Sequence, residues 1–110
     1  MAHATFDDLE RLDLRIATVL RAEPNRGARD PAISLWLDVG HEDPVQSSAR
    51  IADRHRPEDL VGRQVVVAAG FDAIRVGGFR SDVLVLGALD PGGVVLLAPD
   101  GPVAPGTPIA

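Results

Sequence analysis

A small all-β barrel of five to six short strands with short helices is the fold class that this sequence predicts, and three observations predict it. The apolar runs are short, and several of them alternate with a period of two. Glycine, proline and aspartate punctuate the intervals between those runs. Helix-start chemistry occurs at only two places, and neither opens a long periodic segment.

Thr5 is an N-cap candidate followed by Asp7 and Asp8, acids that suit the positive end of a helix dipole, so a short helix is expected over about 5–10. In DLRIATVLRAEP, Leu14, Ile16, Thr18 and Leu20 alternate with Arg15, Ala17, Val19 and Arg21, the mark of a half-buried strand. Pro24, Gly27 and Pro31 then punctuate a loop. ISLWLDVG alternates again, with Ile33, Leu35, Leu37 and Val39 on one face and Ser34, Trp36 and Asp38 on the other. Trp36 is thereby placed opposite the core face. A third strand is expected over Val45–Ile51. RPEDLVG, with Pro57 ahead of two acids and Gly62 at its end, fits one or two helical turns. QVVVAAGF, DVLVLGAL and VVLLAP then supply three apolar strands, with GFDAIRVGGF and DPGG as the turns between them and a Pro/Gly-rich tail over about 99–110. Short strands, frequent glycine turns and one brief helix before the fourth strand fit the OB-fold best, with an SH3-like barrel as the nearest alternative. Several strands are apolar on both faces, yet a small barrel covers only its inner side. The terminal segments and a second subunit are the expected cover for the outer side, hence a two-fold homodimer.

Composition narrows the function classes. A chain of 110 residues gives room for a single domain over 1–110, and 45% apolar content is ample for one core. No apolar run reaches the roughly 18–20 residues of a membrane span, and MAHATFDDLE lacks the basic and apolar regions of a secretory signal. With no cysteine there are no disulfides or thiolate metal sites, which fits the cytoplasm. His3, His41 and His55 are scattered without metal-ligand spacing, so no metal and no cofactor are expected. The aspartates fall in turns and at helix starts, where local hydrogen bonding favours them, and no Ser–His–acid set stands out, so no enzyme activity is expected. All 11 basic residues are arginine, yet the net charge is −5, which argues against a protein built only to coat nucleic acid.

FDDLERLDLRIATVLRAEP, LWLDVG, QSSARI, PEDLVGRQVVV, GFRSDVLVLG, VVLLAPD and PGTPIA occur in an order and spacing that resembles CsaA-type proteins of the tRNA-binding-domain superfamily. Related domains are fused to some methionyl- and phenylalanyl-tRNA synthetase chains. The resemblance covers nearly the whole chain from Phe6 onward. It implies an OB-fold, a homodimer and tRNA binding, with export-chaperone binding of unfolded or extended polypeptide as the alternative. The departures reduce charge. Asp30, Ser34 and Val45 stand where the family carries lysines, and Ile33 stands for a tyrosine. Gly70, Asp72 and Ala73 replace an asparagine and two prolines, with Arg75 one place later than the usual arginine.

The ligand is expected to lie across a rim formed by loops around 28–32, 46–50 and 74–81, with Trp36 on the adjoining strand. Arg29, Arg50, Arg75 and Arg80 are suited to phosphate, each contact releasing counterions. Ser47, Ser48 and Ser81 suit phosphate, ribose or peptide backbone, and fit equally the capping of strand-end amides. Gln46 suits a base edge or a main-chain amide. Trp36 and Phe79 would each stack a base at roughly 1–3 kcal/mol, while Phe79 also reads as core and Trp36 as a dimer contact.

Overall fold

The protein is described by a computed structural model over residues 2–110. In chain order the elements are α1 (Phe6–Leu12), β1 (Leu14–Pro24), β2 (Ile33–Asp38), β3 (Val45–Ala49), α2 (Pro57–Leu60), β4 (Gln64–Ala68), β5 (Ile74–Val76), β6 (Phe79–Ser81), β7 (Leu84–Val85), β8 (Gly87–Asp90) and β9 (Gly93–Leu96). Five of these strands form one sheet in the order β3-β2-β1-β4-β7.

β1 is long because two antiparallel partners share it. Leu14–Thr18 pairs with β4, and Thr18–Pro24 pairs with β2. The sheet curls until β3 meets the segment ahead of β7. There the Asp82 amide donates to the Gln46 carbonyl (2.7 Å), the Gln46 amide donates to Asp82 Oδ2 (2.9 Å), and Ser47 Oγ donates to the Val83 carbonyl (2.7 Å). These bonds bridge β3 to the segment ahead of β7, and the result is the small, nearly closed barrel that the sequence predicts. Inside lie Ala17, Val19, Ile33, Leu35, Leu37, Ala49, Leu60, Val65, Val67 and Val83. Burying a leucine- or isoleucine-sized side chain contributes about 1.5–3 kcal/mol, so Ile33, Leu35, Leu37 and Leu60 anchor this interior.

The capping box at the N-terminus forms, with the Asp8 amide donating to Thr5 Oγ1 (3.2 Å) and the Thr5 amide to Asp8 Oδ2 (2.8 Å). The helix runs to Leu12, two residues past the expected end, and stops at Asp13 in the left-handed region (φ 49). Its last turn sits on the end of β4, where the Gly70 amide donates to the Leu12 carbonyl (3.0 Å). A Cβ on Gly70 would stand 1.8 Å from the Arg11 carbonyl oxygen, so the glycine found there permits this approach.

Three sequence expectations need correction. In β1 the alternation breaks at Leu20, where a bulge shifts the register between Val19 and Arg21. Ahead of the bulge Ala17 and Val19 face the interior, and beyond it Arg21 is turned outward. Ile16 is buried on the other side under the C-terminal tail, bonded by Ile16 N–H to the Thr107 carbonyl (2.9 Å) and by Gly106 N–H to the Ile16 carbonyl (2.7 Å). The stretch GFDAIRVGGF is more than a turn, because β5 and β6 pair as a hairpin. Its two-residue loop, Gly77 and Gly78 at φ 59 and φ 80, has the positive angles that a tight hairpin turn demands. DVLVLGAL, expected as one strand, divides into β7 on the barrel and β8 in a separate hairpin with β9.

Candidate functional site

Alternation sends Trp36 to the outer face of β2, where cross-strand pairing sets it between Arg21 of β1 and Gln46 of β3. The bulge at Leu20 brings Arg21 to this face: its guanidinium carbon lies 4.4 Å from the Trp36 ring centroid and its charge pairs with Glu23. Phe79 meets the same indole edge-on, with centroids 5.3 Å apart and planes at 82°. Trp36 and Phe79 are both half-buried, outside the barrel interior and partly open to solvent.

The hairpin that carries Phe79 also carries two arginines, on its opposite face. Arg75 and Arg80 are directly opposed across β5 and β6, and both are exposed. Like charges in that position repel, and local acceptors offset the repulsion: Arg80 Nε lies 2.9 Å from Asp82 Oδ1, and Arg75 Nη1 donates to the Gly78 carbonyl (2.9 Å). Arg50, just past β3, donates from Nη1 to Asp30 Oδ2 at 3.0 Å. Arg26 and Arg29, exposed on the loop between β1 and β2, form no ion pair among the described residues.

The serines separate into two groups. Ser47 and Ser81 are buried, at 1% and 5% exposure, and their hydroxyls are spent on the fold. Ser47 Oγ donates to the Val83 carbonyl, and Ser81 Oγ accepts from the Ser48 amide (3.1 Å). They stitch β3 to β6 and to the segment ahead of β7 rather than lining the surface. Ser48 is half-buried, and its hydroxyl accepts from Asn25 Nδ2 (3.0 Å).

Asn25 and Arg21 are the two contributors that the sequence reading missed. Asn25 Nδ2 donates both to Ser48 Oγ and to the Val76 carbonyl (2.9 Å), while its Oδ1 accepts from the Gly27 amide (3.2 Å). One side chain thus ties the β1–β2 loop, β3 and the β5–β6 hairpin together. Backbone packing does the rest: a Cβ on Gly27 would stand 2.4 Å from the Gly77 carbonyl oxygen. The turn chemistry of asparagine is visible in sequence. Its reach to residues 48 and 76 is a tertiary fact. Trp36, Gln46, Ser48, Phe79, Arg75 and Arg80 are consequently held on connected elements, with Arg29 and Arg50 on the flanking loop and strand end.

Beside this face lies a groove of about 750 Å³, with Asp30 and Arg50 among its polar residues and Ile51, Leu84, Leu86 and Val94 among its apolar ones. Among the described residues no group of three or more His, Asp or Glu side chains is placed to hold a metal, and no helix is long and apolar enough to cross a membrane.

Comparison with known proteins fits this arrangement. Over 95 residues the chain is 43% identical to a methionine–tRNA ligase of Methanothrix thermoacetophila, an alignment covering 86% of this chain and 14% of that protein. It is 38% identical over 106 residues to the methionine–tRNA ligase of Thermotoga maritima, covering 96% of this chain and 16% of that one. The chain thus spans under a fifth of the length of these relatives. Among solved structures, the chaperone CsaA of Bacillus anthracis superposes with a TM-score of 0.87 at 47% identity, covering 99% of this chain and 100% of that one. The CsaA chaperone protein of Picrophilus torridus gives 0.90 at 30% identity, covering 98% of this chain and all (100%) of that one. The family profile described as "Putative tRNA binding domain" matches residues 14–108, and on that match, with these relatives beside it, the chain belongs to the tRNA-binding-domain family.

Proposed function

We propose that this chain binds tRNA without catalysing a reaction on it, using the rim built from the loop before β2, the end of β3 and the β5–β6 hairpin. The observation that carries this reading is the edge-to-face pair of Trp36 and Phe79 on the outer face, held by a hairpin whose other face carries the opposed Arg75 and Arg80. Aromatic rings accept unpaired bases by stacking, and arginines take up the phosphates on either side. Arg29 on the adjoining loop adds a cation, and Gln46 beside Trp36 offers an amide to a base edge or ribose. Support for a non-catalytic role comes from the family match, described as a tRNA binding domain, and from the structural likeness to the CsaA chaperone of Bacillus anthracis. Acting on tRNA, the protein would work in the cytoplasm.

A second reading is favoured by one specific observation, the apolar groove between Ile51, Leu86, Leu89 and Val94. An unfolded or extended polypeptide would lay alternate side chains into it, its backbone bonding to the rim. In either reading we propose a homodimer of one domain per chain. Phe71, Ile74 and Leu84, exposed at 48%, 56% and 42%, line one small cavity and form the apolar surface that a second copy would cover.

Titration with bulk tRNA at low salt tests the first reading. We expect binding by the folded protein, weakened by Arg80→Ala and by Arg75→Ala. A folded protein that ignores tRNA but binds unfolded polypeptide transfers the assignment to the groove.

A further inference from the structure

We propose that Asp30 is a built-in competitor for the phosphate that Arg50 would take, and so a residue that sets how tightly this chain holds tRNA; the inference rests on the tRNA-binding reading above.

Register brings the two groups together. Ile33 pairs with Ala49, so the chain entering β2 and the chain leaving β3 run side by side, and Asp30 and Arg50 face each other just beyond the last pair. The contact uses one guanidinium nitrogen, Nη1, and one carboxylate oxygen at 3.0 Å. The side chains keep 75% and 57% of their exposure, so water and a ligand can reach both. A guanidinium has five N–H donors in a planar fork, and among the described residues Arg50 spends only this one nitrogen. A phosphate approaching the fork can make two parallel charge-assisted bonds where Asp30 makes one. An exposed pair of this kind favours closure by only about two- to five-fold, little enough for a ligand to displace it.

The other carboxylates of this face do different work, which singles out Asp30. Asp82 also accepts the Gln46 amide (2.9 Å) and is 20% exposed, so it belongs to barrel closure as much as to Arg80. Glu23 is two residues from Arg21 on one strand, and that arginine is already laid over Trp36. The Asp30 carboxylate makes no hydrogen bond among the described residues except the one to Arg50. Its removal should therefore leave the fold intact and free one cation.

The test is bulk tRNA titrated against the wild type, Asp30→Asn, Arg50→Ala and the double variant, each at two salt concentrations. We expect Asp30→Asn to bind about two- to five-fold tighter at low salt. Its log–log salt dependence should stay close to that of the wild type, since Arg50 reaches the phosphate in both, whereas Arg50→Ala should flatten it by about 0.7–0.9, one phosphate contact. The gain should vanish when Arg50 is already alanine, and thermal unfolding should show all four proteins folded. An equal gain with and without Arg50 would mean that only the general field had changed and would overturn the proposal. No gain in a wild type that does bind tRNA would overturn it as well, leaving the tRNA reading intact. If neither the wild type nor Asp30→Asn binds at low salt, the tRNA reading itself fails.

Discussion

Trp36 carries more of the site than any other single side chain. It is the sole tryptophan, it stands outside the barrel, and it is gripped by a cation on one side and a phenyl ring on another. Its outward direction was legible from alternation in ISLWLDVG, because a strand cannot send adjacent residues to one face. Its neighbours were not, since Arg21 arrives through a bulge and Phe79 from a hairpin more than forty residues later in the chain. If the indole stacks a base, tRNA will change its emission, and Trp36→Ala will weaken binding by about 1–3 kcal/mol while the unfolding transition stays cooperative. Binding of tRNA with unaltered emission and unaltered affinity in the variant would remove Trp36 from the interface. Ser47 and Ser81 teach the opposite lesson: hydroxyl-bearing residues at a strand end look alike in sequence, and only burial separates those spent on the fold from those left at the surface.

The β5–β6 hairpin and the loop before β2 show where sequence reasoning runs short. GFDAIRVGGF contains its turn signal openly in Gly77 and Gly78, yet three residues on each side were too few to declare strands by periodicity. The break in β1 was equally hidden, because LRIATVLRAEP alternates in pattern while an added residue exchanges its faces midway. Both features matter, since one aims Arg21 and the other carries Phe79, Arg75 and Arg80. A matched pair of substitutions tests whether the loop and hairpin act as a unit. Gly77→Ala and Gly78→Ala each place a side chain at positive φ, a cost of about 1–2 kcal/mol. At Gly77 the new Cβ also meets the Gly27 carbonyl carbon at 2.3 Å, whereas at Gly78 nothing lies within 4 Å. Gly77→Ala should therefore weaken tRNA binding beyond Gly78→Ala, with unfolding midpoints measured alongside. Equal binding by both would show that the hairpin works independently of the loop.

For the molecule as a whole, the barrel was the most legible part, because short alternating runs and glycine turns leave few other ways to bury 45% apolar residues in 110 positions. The tail was less so: PDGPVAPGTPIA reads as loop, yet it lies along β1, with Ile109 N–H bonded to the Leu14 carbonyl (2.9 Å) and Gln64 Nε2 bonded to the Val103 carbonyl (2.7 Å). Backbone pairing by an irregular segment leaves little trace in residue pattern. Even with the tail in place, Phe71, Ile74 and Leu84 remain exposed together. Light scattering at micromolar concentration should give twice the mass of one chain, and Leu84→Arg should halve it. A monodisperse monomer with that surface open would contradict the proposed dimer.

We propose that this net-acidic barrel holds tRNA with a few arginines and an aromatic pair rather than with a broad field of charge. The most direct test is the salt dependence of the affinity for bulk tRNA. About three phosphate contacts predict a log–log slope of roughly −2 to −3, with Arg75→Ala and Arg80→Ala each flattening it. No detectable binding at low salt by the folded protein, or a slope as steep as that of a polycation, would mean that the barrel does not hold tRNA in this way.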